Sequence, residues 1–183
     1  NEEGKNKFLD PKILADLVGN ELNRSKTEDH PVLITMGSTR GYIDDVRYVS
    51  NYSSGKLGSL VSEELFRLGY ATHVVSGPCP NKPHIYKKLQ NTLTNDEMEK
   101  EALAAIRQGA KAAVMAASVL DFTPIEKKSG KIKSSASKMT VDFDHTSKII
   151  SQINPDSGIK VGFKLETDLT VVQAQKIAEE YMP

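Results

Sequence analysis

From Pro31 onward, short apolar runs alternate with stretches of helical periodicity, and this alternation narrows the possible folds more than any other feature of the chain. Val32-Leu33-Ile34-Thr35, Ala71-Thr72-His73-Val74-Val75, Ala112 to Val119 and Gly158 to Leu165 are apolar-centred and bounded by polar segments. Strands that read as near-continuous apolar runs belong to a mainly parallel sheet buried on both faces. The segments between them carry helix signals. Leu57, Leu60, Val61, Leu65 and Leu68 share helical spacing, and Gly69 sits where a left-handed cap is wanted. Thr94 and Glu97 make a capping box ahead of Met98, Ala102 and Ile106, with Gly109 as the stop. A short helix is expected over Ser147 to Ile153 and a longer one over Leu169 to Tyr181.

The predicted fold class is therefore α/β: a Rossmann-like, doubly wound, mainly parallel sheet with helices on both faces, without internal repeats. At 183 residues, 38% hydrophobic and 26% charged, the chain can bury one domain core. Residues 1–30 read as an N-terminal helix and linker, and 31–183 as the main domain. In the first part Asp10 can cap a helix that has Pro11 at its first position, Leu14, Leu17 and Val18 share one face, and Arg24 to His30 is polar enough to be the linker. No signal-peptide pattern precedes it, and a chain that begins at Asn reads as a fragment.

Lys+Arg 24 against Asp+Glu 24 leaves no net charge, so no global field exists to hold nucleic acid or an anionic membrane. Any anion must be held locally. The longest apolar stretch, Ala112 to Leu120 with Ser118 inside it, is far below the roughly 20 residues of a membrane helix. Cys79 alone cannot form an internal disulfide, and with His30, His73, His84 and His145 it shows no zinc-ligand spacing. A reducing, cytoplasmic compartment is expected.

A doubly wound sheet opens its ligand crevice at the carboxyl ends of its strands. Three segments fall there. After the first strand a long loop runs from Gly37 through Arg40 and Arg47 to Ser53-Ser54-Gly55-Lys56, where a helix amino terminus with small residues and a lysine can hold phosphate. Ordinary serine capping is the competing explanation. At the end of the third strand, Ala116-Ala117-Ser118 allows close approach, and Asp121 can accept from a ribose hydroxyl or stand near magnesium, or merely cap a turn. Finally, Lys127-Lys128-Ser129-Gly130-Lys131-Ile132-Lys133-Ser134-Ser135 reads either as a solvated, mobile turn or as a lid carrying a lysine to developing negative charge.

A nicotinamide-dependent oxidoreductase is the obvious rival on this fold. No G-x-G-x-x-G occurs, strand two ends in Ser76-Gly77-Pro78 without an acidic residue for a ribose diol, and no Walker lysine loop is present. A catalytically silent nucleotide-binding module is the other alternative.

Thr35-Met36-Gly37-Ser38-Thr39-Arg40, then Ile43 through the SNxSSG segment Ser50 to Gly55 and on to Gly58, then Ser76-Gly77-Pro78, resembles the phosphopantothenate–cysteine ligase family. Ala116 to Phe122, Lys131-Ile132-Lys133 and Val161 to Asp168 follow in the family's order, so the likeness runs from about Val32 to the end. The resemblance implies a step of coenzyme A synthesis. The carboxylate of 4′-phosphopantothenate is activated by CTP or ATP as an acyl nucleotidate, and the amine of cysteine then displaces the nucleotide. It implies catalytic roles for Asn51, which would hold the reacting acyl group, and Lys131, which would serve turnover of the acyl nucleotidate. It assigns nucleotide contacts to Gly37, Ser38, Thr39, Ser53, Ser54, Gly55, Ala117, Asp121, Lys133 and Phe163, and substrate phosphate or carboxylate to Arg47 and Lys56. Mg²⁺ is expected with no ligand assigned, as is a homodimer. Gly41-Tyr42, His145-Thr146-Ser147-Lys148 and Phe163-Lys164-Leu165-Glu166 resemble the stand-alone and eukaryotic branches, whereas Leu9-Asp10-Pro11 resembles the tail that joins a decarboxylase domain in bifunctional chains. Family members continue past the last helix, so a ligase domain lacking its C-terminal part is expected.

Overall fold

A computed structural model describes residues 9–24, 30–133, 138–155, 158–165 and 167–181. Its centre is β1 (Val32–Met36), whose five residues are all buried. β1 pairs in parallel with β4 (Thr72–Ser76) on one side and β6 (Ala112–Met115) on the other, Ile34 lying opposite Val74 and Val114. β5 (Lys88–Asn91) extends the sheet beyond β4, and β9 (Ile159–Gly162) extends it beyond β6, giving the order β5-β4-β1-β6-β9 with every pairing parallel. Chain order runs outward from β1 in both directions, so the winding reverses between β1 and β6.

The two faces of β1 are covered by different helices. Leu33 belongs to a core with Val75, Ala113 and Met115 of neighbouring strands and Met98, Ala102 and Ala105 of α3 (Asn95–Arg107). α4 (Ile149–Gln152) adds Ile149, and Ile153 follows it into the same core. Met36, of opposite parity, faces α2 (Lys56–Arg67), where a Cβ on Gly58 would stand 2.5 Å from the Met36 Cβ. Because of that close approach, the face laid on the sheet is not the leucine stripe. The buried residues are Gly58, Ser59, Ser62 and Phe66, while Leu57, Leu60 and Leu68 are exposed. Small side chains let the helix lie directly on the strand.

α1 (Pro11–Asn23) begins as expected, with the Asp10 carboxylate accepting from the Lys12 amide at 2.8 Å. Its packing is reversed relative to its apolar stripe. Leu14, Leu17 and Val18 are exposed, and the polar face lies on α2: Gly19 fits against Arg67, and the side-chain amides of Asn20 and Asn23 donate to the Phe66 and Arg67 carbonyls. Asp16 is buried and meets the His84 ring at 2.8 Å, while the other ring nitrogen lies 2.6 Å from Glu63. The expected linker cannot be followed through 25–29, which lie outside the described residues.

Other boundaries shift for local reasons. The third apolar run leaves the sheet at Met115, and beyond it Ser118 makes only an isolated bridge with Ser38. The fourth is strand only over Ile159–Gly162, and Glu166 just beyond it lies outside the described residues. β5 has a polar sequence that no apolar pattern marks, as suits a sheet edge. The loop after β1 contains a hairpin of β2 (Arg40–Tyr42) and β3 (Tyr48–Ser50), and β7 (Phe122–Pro124) pairs antiparallel with β8 (Phe143–His145). Half of the expected capping box forms at α3: the Thr94 hydroxyl accepts from the Glu97 amide, while the Glu97 carboxylate reaches one residue further back and accepts from the Leu93 amide. The last helix is α5 (Val171–Tyr181). Among the described residues no helix is long and apolar enough to cross a membrane.

Candidate functional site

The carboxyl ends of β1, β4 and β6 are locked together by backbone contacts that only glycine permits. Gly37 leaves β1 with φ +76°, and a Cβ there would stand 2.5 Å from the Gly77 carbonyl oxygen. A Cβ on Gly77 would stand 1.8 Å from the Ser38 oxygen. On the other side the Ser118 amide donates to the Gly37 carbonyl at 2.7 Å, and the Leu120 amide donates to the buried Thr39 hydroxyl at 3.0 Å. Gly37, Ser38 and Thr39 therefore form one edge with Ala117 at the topological switch between β1 and β6. Next along that edge is Phe163, which follows the pairing of Gly162 with Met115 and is half exposed.

The β2–β3 hairpin returns the chain to this edge. Ser50 donates to the Thr39 carbonyl at 2.8 Å, and the exposed Asn51 side-chain amide donates to the Val119 carbonyl at 3.0 Å. Asn51 thus spans from the SNxSSG segment to the loop that follows β6. Gly55 caps α2 in the left-handed region, φ +72°, because a Cβ would collide with Cys79 and with the Asn81 carbonyl, at 2.6 and 2.7 Å. The Gly55 cap supplies no side-chain acceptor, the first turn holds no acidic residue, and Lys56 is exposed there. Ser54 Oγ accepts from the Lys56 amide at 3.3 Å, so serine capping and an electropositive helix end coexist.

The described part of the basic segment is tethered to the hairpin turn rather than standing free. Asp44, fully buried in the hairpin turn, accepts from the Val46 and Arg47 amides at 2.8 and 2.6 Å, from the Arg47 guanidinium at 3.0 Å and from the Ile132 amide at 3.1 Å. Arg47 also donates to the Ile132 carbonyl at 3.2 Å. Two of its nitrogens thus meet protein partners, while the Arg47 side chain stays 33% exposed. Burial pushes the Asp44 carboxyl up, but the amides of Val46, Arg47 and Ile132 and the charge of Arg47 outweigh it and hold it below the usual range. Hydrogen bonding to Lys127 lowers Asp45 and raises Lys127, whose ammonium sits 2.7 Å from that carboxylate. Lys131 and Lys133 stay exposed on either side of Ile132, and Ser134 and Ser135 lie outside the described residues.

Gly37, Ser38, Thr39, Asn51, Ser53, Ser54, Gly55, Ala117 and Phe163 are thus gathered at or beside one strand edge. Asp121 is exposed past it, its carbonyl accepting from the Thr146 amide at 2.9 Å. Four supports went unforeseen: Asp44, Asn81, Asn95 and Thr146. Asn81 donates twice to the Ser54 carbonyl, while Asn95 and Thr146 both donate to the Leu120 carbonyl. Only Asp44 had a local signal, an Asx turn spaced three residues ahead of an arginine. Among the described residues no three His, Cys, Asp or Glu side chains gather as a metal site.

The family described as the DNA/pantothenate metabolism flavoprotein C-terminal domain matches residues 27–181. A cysteine/cysteine sulfinic acid decarboxylase from an unknown prokaryotic organism is 29% identical over 180 residues, covering 93% of this chain and 50% of that protein. The coenzyme A biosynthesis bifunctional protein CoaBC of Thermococcus kodakarensis is 33% identical over 175 residues, covering 92% of this chain and 42% of that one. The chain spans about half the length of the curated relatives it matches. Among solved structures, the DNA/pantothenate metabolism flavoprotein from Streptococcus pneumoniae shares the fold with a TM-score of 0.74 at 24% identity, over 82% of this chain and 76% of that one. The C-terminal domain of CoaBC superposes with a TM-score of 0.68 at 26% identity, over 82% and 72% of the two chains. With its matched region running through both the glycine-locked strand edge and the clamped lysine segment, the chain belongs to the DNA/pantothenate metabolism flavoprotein C-terminal domain family.

Proposed function

We propose that this protein is a phosphopantothenate–cysteine ligase, joining 4′-phosphopantothenate to cysteine through an acyl nucleotidate made from CTP or ATP. The observation that carries the reading is the strand edge at which Asn51 spans to Val119 beside an α2 terminus whose cap supplies no side-chain acceptor. Family membership and CoaBC relatives support it. The decarboxylase name belongs to a relative of which this chain spans 50%. In the first step a carboxylate oxygen of the acid attacks the α-phosphorus of the triphosphate and pyrophosphate leaves. In the second, the cysteine amine attacks the acyl carbon, the nucleoside monophosphate leaves, and the amine proton passes to solvent.

Gly37, Ser38, Thr39, Ser53, Ser54, Gly55, Ala117, Asp121, Phe163 and Lys133 surround the nucleotide in this account, and Lys56 with the first amides of α2 meets phosphate. Asn51 orients the reacting carboxyl as a neutral amide that adds no charge beside it. Lys131 offsets charge on the phosphate and on the tetrahedral oxyanion. Arg47, one-third exposed beside Asp44, joins Lys56 in meeting substrate phosphate or carboxylate. Mg²⁺, if bound, would neutralise triphosphate charge as it usually does, and no residue of this chain is assigned to hold it. Activity in a cytoplasmic homodimer completes the proposal. Incubation with both substrates and either triphosphate, followed by mass spectrometry, should yield phosphopantothenoylcysteine and one nucleoside monophosphate. Absence of product with both CTP and ATP would mark a silent module instead.

A further inference from the structure

Two adjacent carboxylates hold the lysine segment from opposite sides. Asp44 takes the Ile132 amide while Arg47, ion-paired to the same carboxylate, takes the Ile132 carbonyl across 85 positions of sequence. Asp45 accepts from the Gly130 amide at 2.7 Å, its own amide donates to the Gly130 carbonyl at 3.3 Å, and it pairs with Lys127. The Lys128 amide donates to the Ile43 carbonyl at 2.9 Å. Lys131 therefore sits between two residues whose peptide groups are fixed to the hairpin turn, while its own side chain is exposed. The same turn continues through β3 into Asn51, so both groups assigned to the reaction are joined to one hairpin.

We infer that Asp44 and Asp45 are positioning residues that set the register of Lys131 relative to Asn51. This inference rests on the ligase reading. A buried carboxylate that served only the hairpin would need its own turn amides, and Asp44 has those on one oxygen. The second oxygen is turned to Arg47 and Ile132, which lies outside the hairpin. A charge that must meet a transient oxyanion gains from being held before the substrate arrives, since displacement by about 1 Å can cost ~100-fold in rate.

Asp44→Asn keeps the volume but presents an amide where a carboxylate met Arg47, and Asp45→Ala cuts the exposed tether with little threat to folding. The experiment measures amide exchange at Gly130 and Ile132, melting temperature, and kcat and KM for pyrophosphate release, each with Lys131 intact and as Lys131→Gln. Expected are exchange at Ile132 roughly tenfold faster in Asp44→Asn and at Gly130 in Asp45→Ala, a kcat fall of about tenfold or more, and KM changes below about threefold. In the Lys131→Gln background the kcat effect should vanish, because the lysine being positioned is gone. Unchanged exchange, an unchanged kcat, or the same fall without Lys131 overturns the inference. If Asp44→Asn does not fold, Asp45→Ala decides alone. A wild-type protein that releases no pyrophosphate defeats the ligase reading instead, and the exchange rates still decide whether the carboxylates hold the segment.

Discussion

Asn51 and Lys131, the two residues proposed to serve the reaction, are held by opposite means, one through its side chain and the other through its neighbours' backbone. The Asn51 amide is anchored on the Val119 carbonyl, so Asn51→Asp both loses that donor and sets a carboxylate against a carbonyl oxygen and an acidic substrate. Because Asn51 is exposed, this variant should melt within a few degrees of wild type while ligation falls at least about 100-fold, a loss of ~3 kcal/mol of transition-state stabilisation. Steady-state rates near wild type would remove Asn51 from the mechanism. Lys131→Gln should likewise spare the melting temperature and slow turnover by roughly 2–4 kcal/mol, whereas Lys128→Gln, paired only with nearby Glu126 among the described contacts, should be close to neutral. Equal, mild losses in the two variants would mean a merely basic surface. At this scale the residues proposed to carry chemistry could be picked out of the sequence, because their types and spacing are local. It did not expose their supports: Asp44 finds its decisive partner 88 positions away, and no local pattern encodes that distance.

Elements are held in register here by what glycines leave room for. At Gly77 an added Cβ meets the Ser38 carbonyl, a backbone atom that cannot turn aside, so Gly77→Ala should destabilise by about 3 kcal/mol or more and abolish activity. Gly109, which ends α3 with φ +94° and nothing within 4 Å of a Cβ, should lose only ~1–2 kcal/mol as Ala. Chemical denaturation of both variants separates steric locking at the strand edge from ordinary left-handed strain at a helix end; equal losses would contradict the lock. Helix boundaries were readable because caps are local, as at Asp10, Thr94 and Gly109. Helix faces were not. α2 buries its glycine and serines because Met36 lies so near, and α1 buries its polar side because Asp16, Asn20 and Asn23 find partners on α2 and at His84. An apolar stripe identifies a helix but does not decide which face a small neighbour can accept.

For the whole molecule, the doubly wound parallel sheet was legible from apolar runs alone, and the strands it did not mark, β5 and the two small two-stranded sheets, are those without such runs. Titration should expose how the parts are joined. Desolvation, with the charge of Lys88, holds His73 below its ordinary 6.5, so the unfolded chain binds a proton the folded one refuses, and stability declines as pH falls below about 6.5. Burial raises Glu63, but the His84 amide, Lys12 and the His84 ring outweigh it, and its carboxyl is held below 4.5. Its contribution is complete above 4.5 and disappears as pH falls through the lower folded value, together with that of Asp44, held below 3.8. Melting temperature should therefore fall in two phases, the upper one absent in His73→Gln and the lower one shallower in Glu63→Gln. A single acid transition unaltered by either change would contradict this assignment.

The central claim is that the glycine-locked strand edge activates a carboxylate before any amine is present. Pyrophosphate release by the purified protein, with 4′-phosphopantothenate, triphosphate and cysteine omitted one at a time, tests it most directly. The account predicts release that requires both the acid and the triphosphate, occurs without cysteine up to about one equivalent per site, and turns over when cysteine is added. Release independent of the acid, or none with either CTP or ATP, would contradict it.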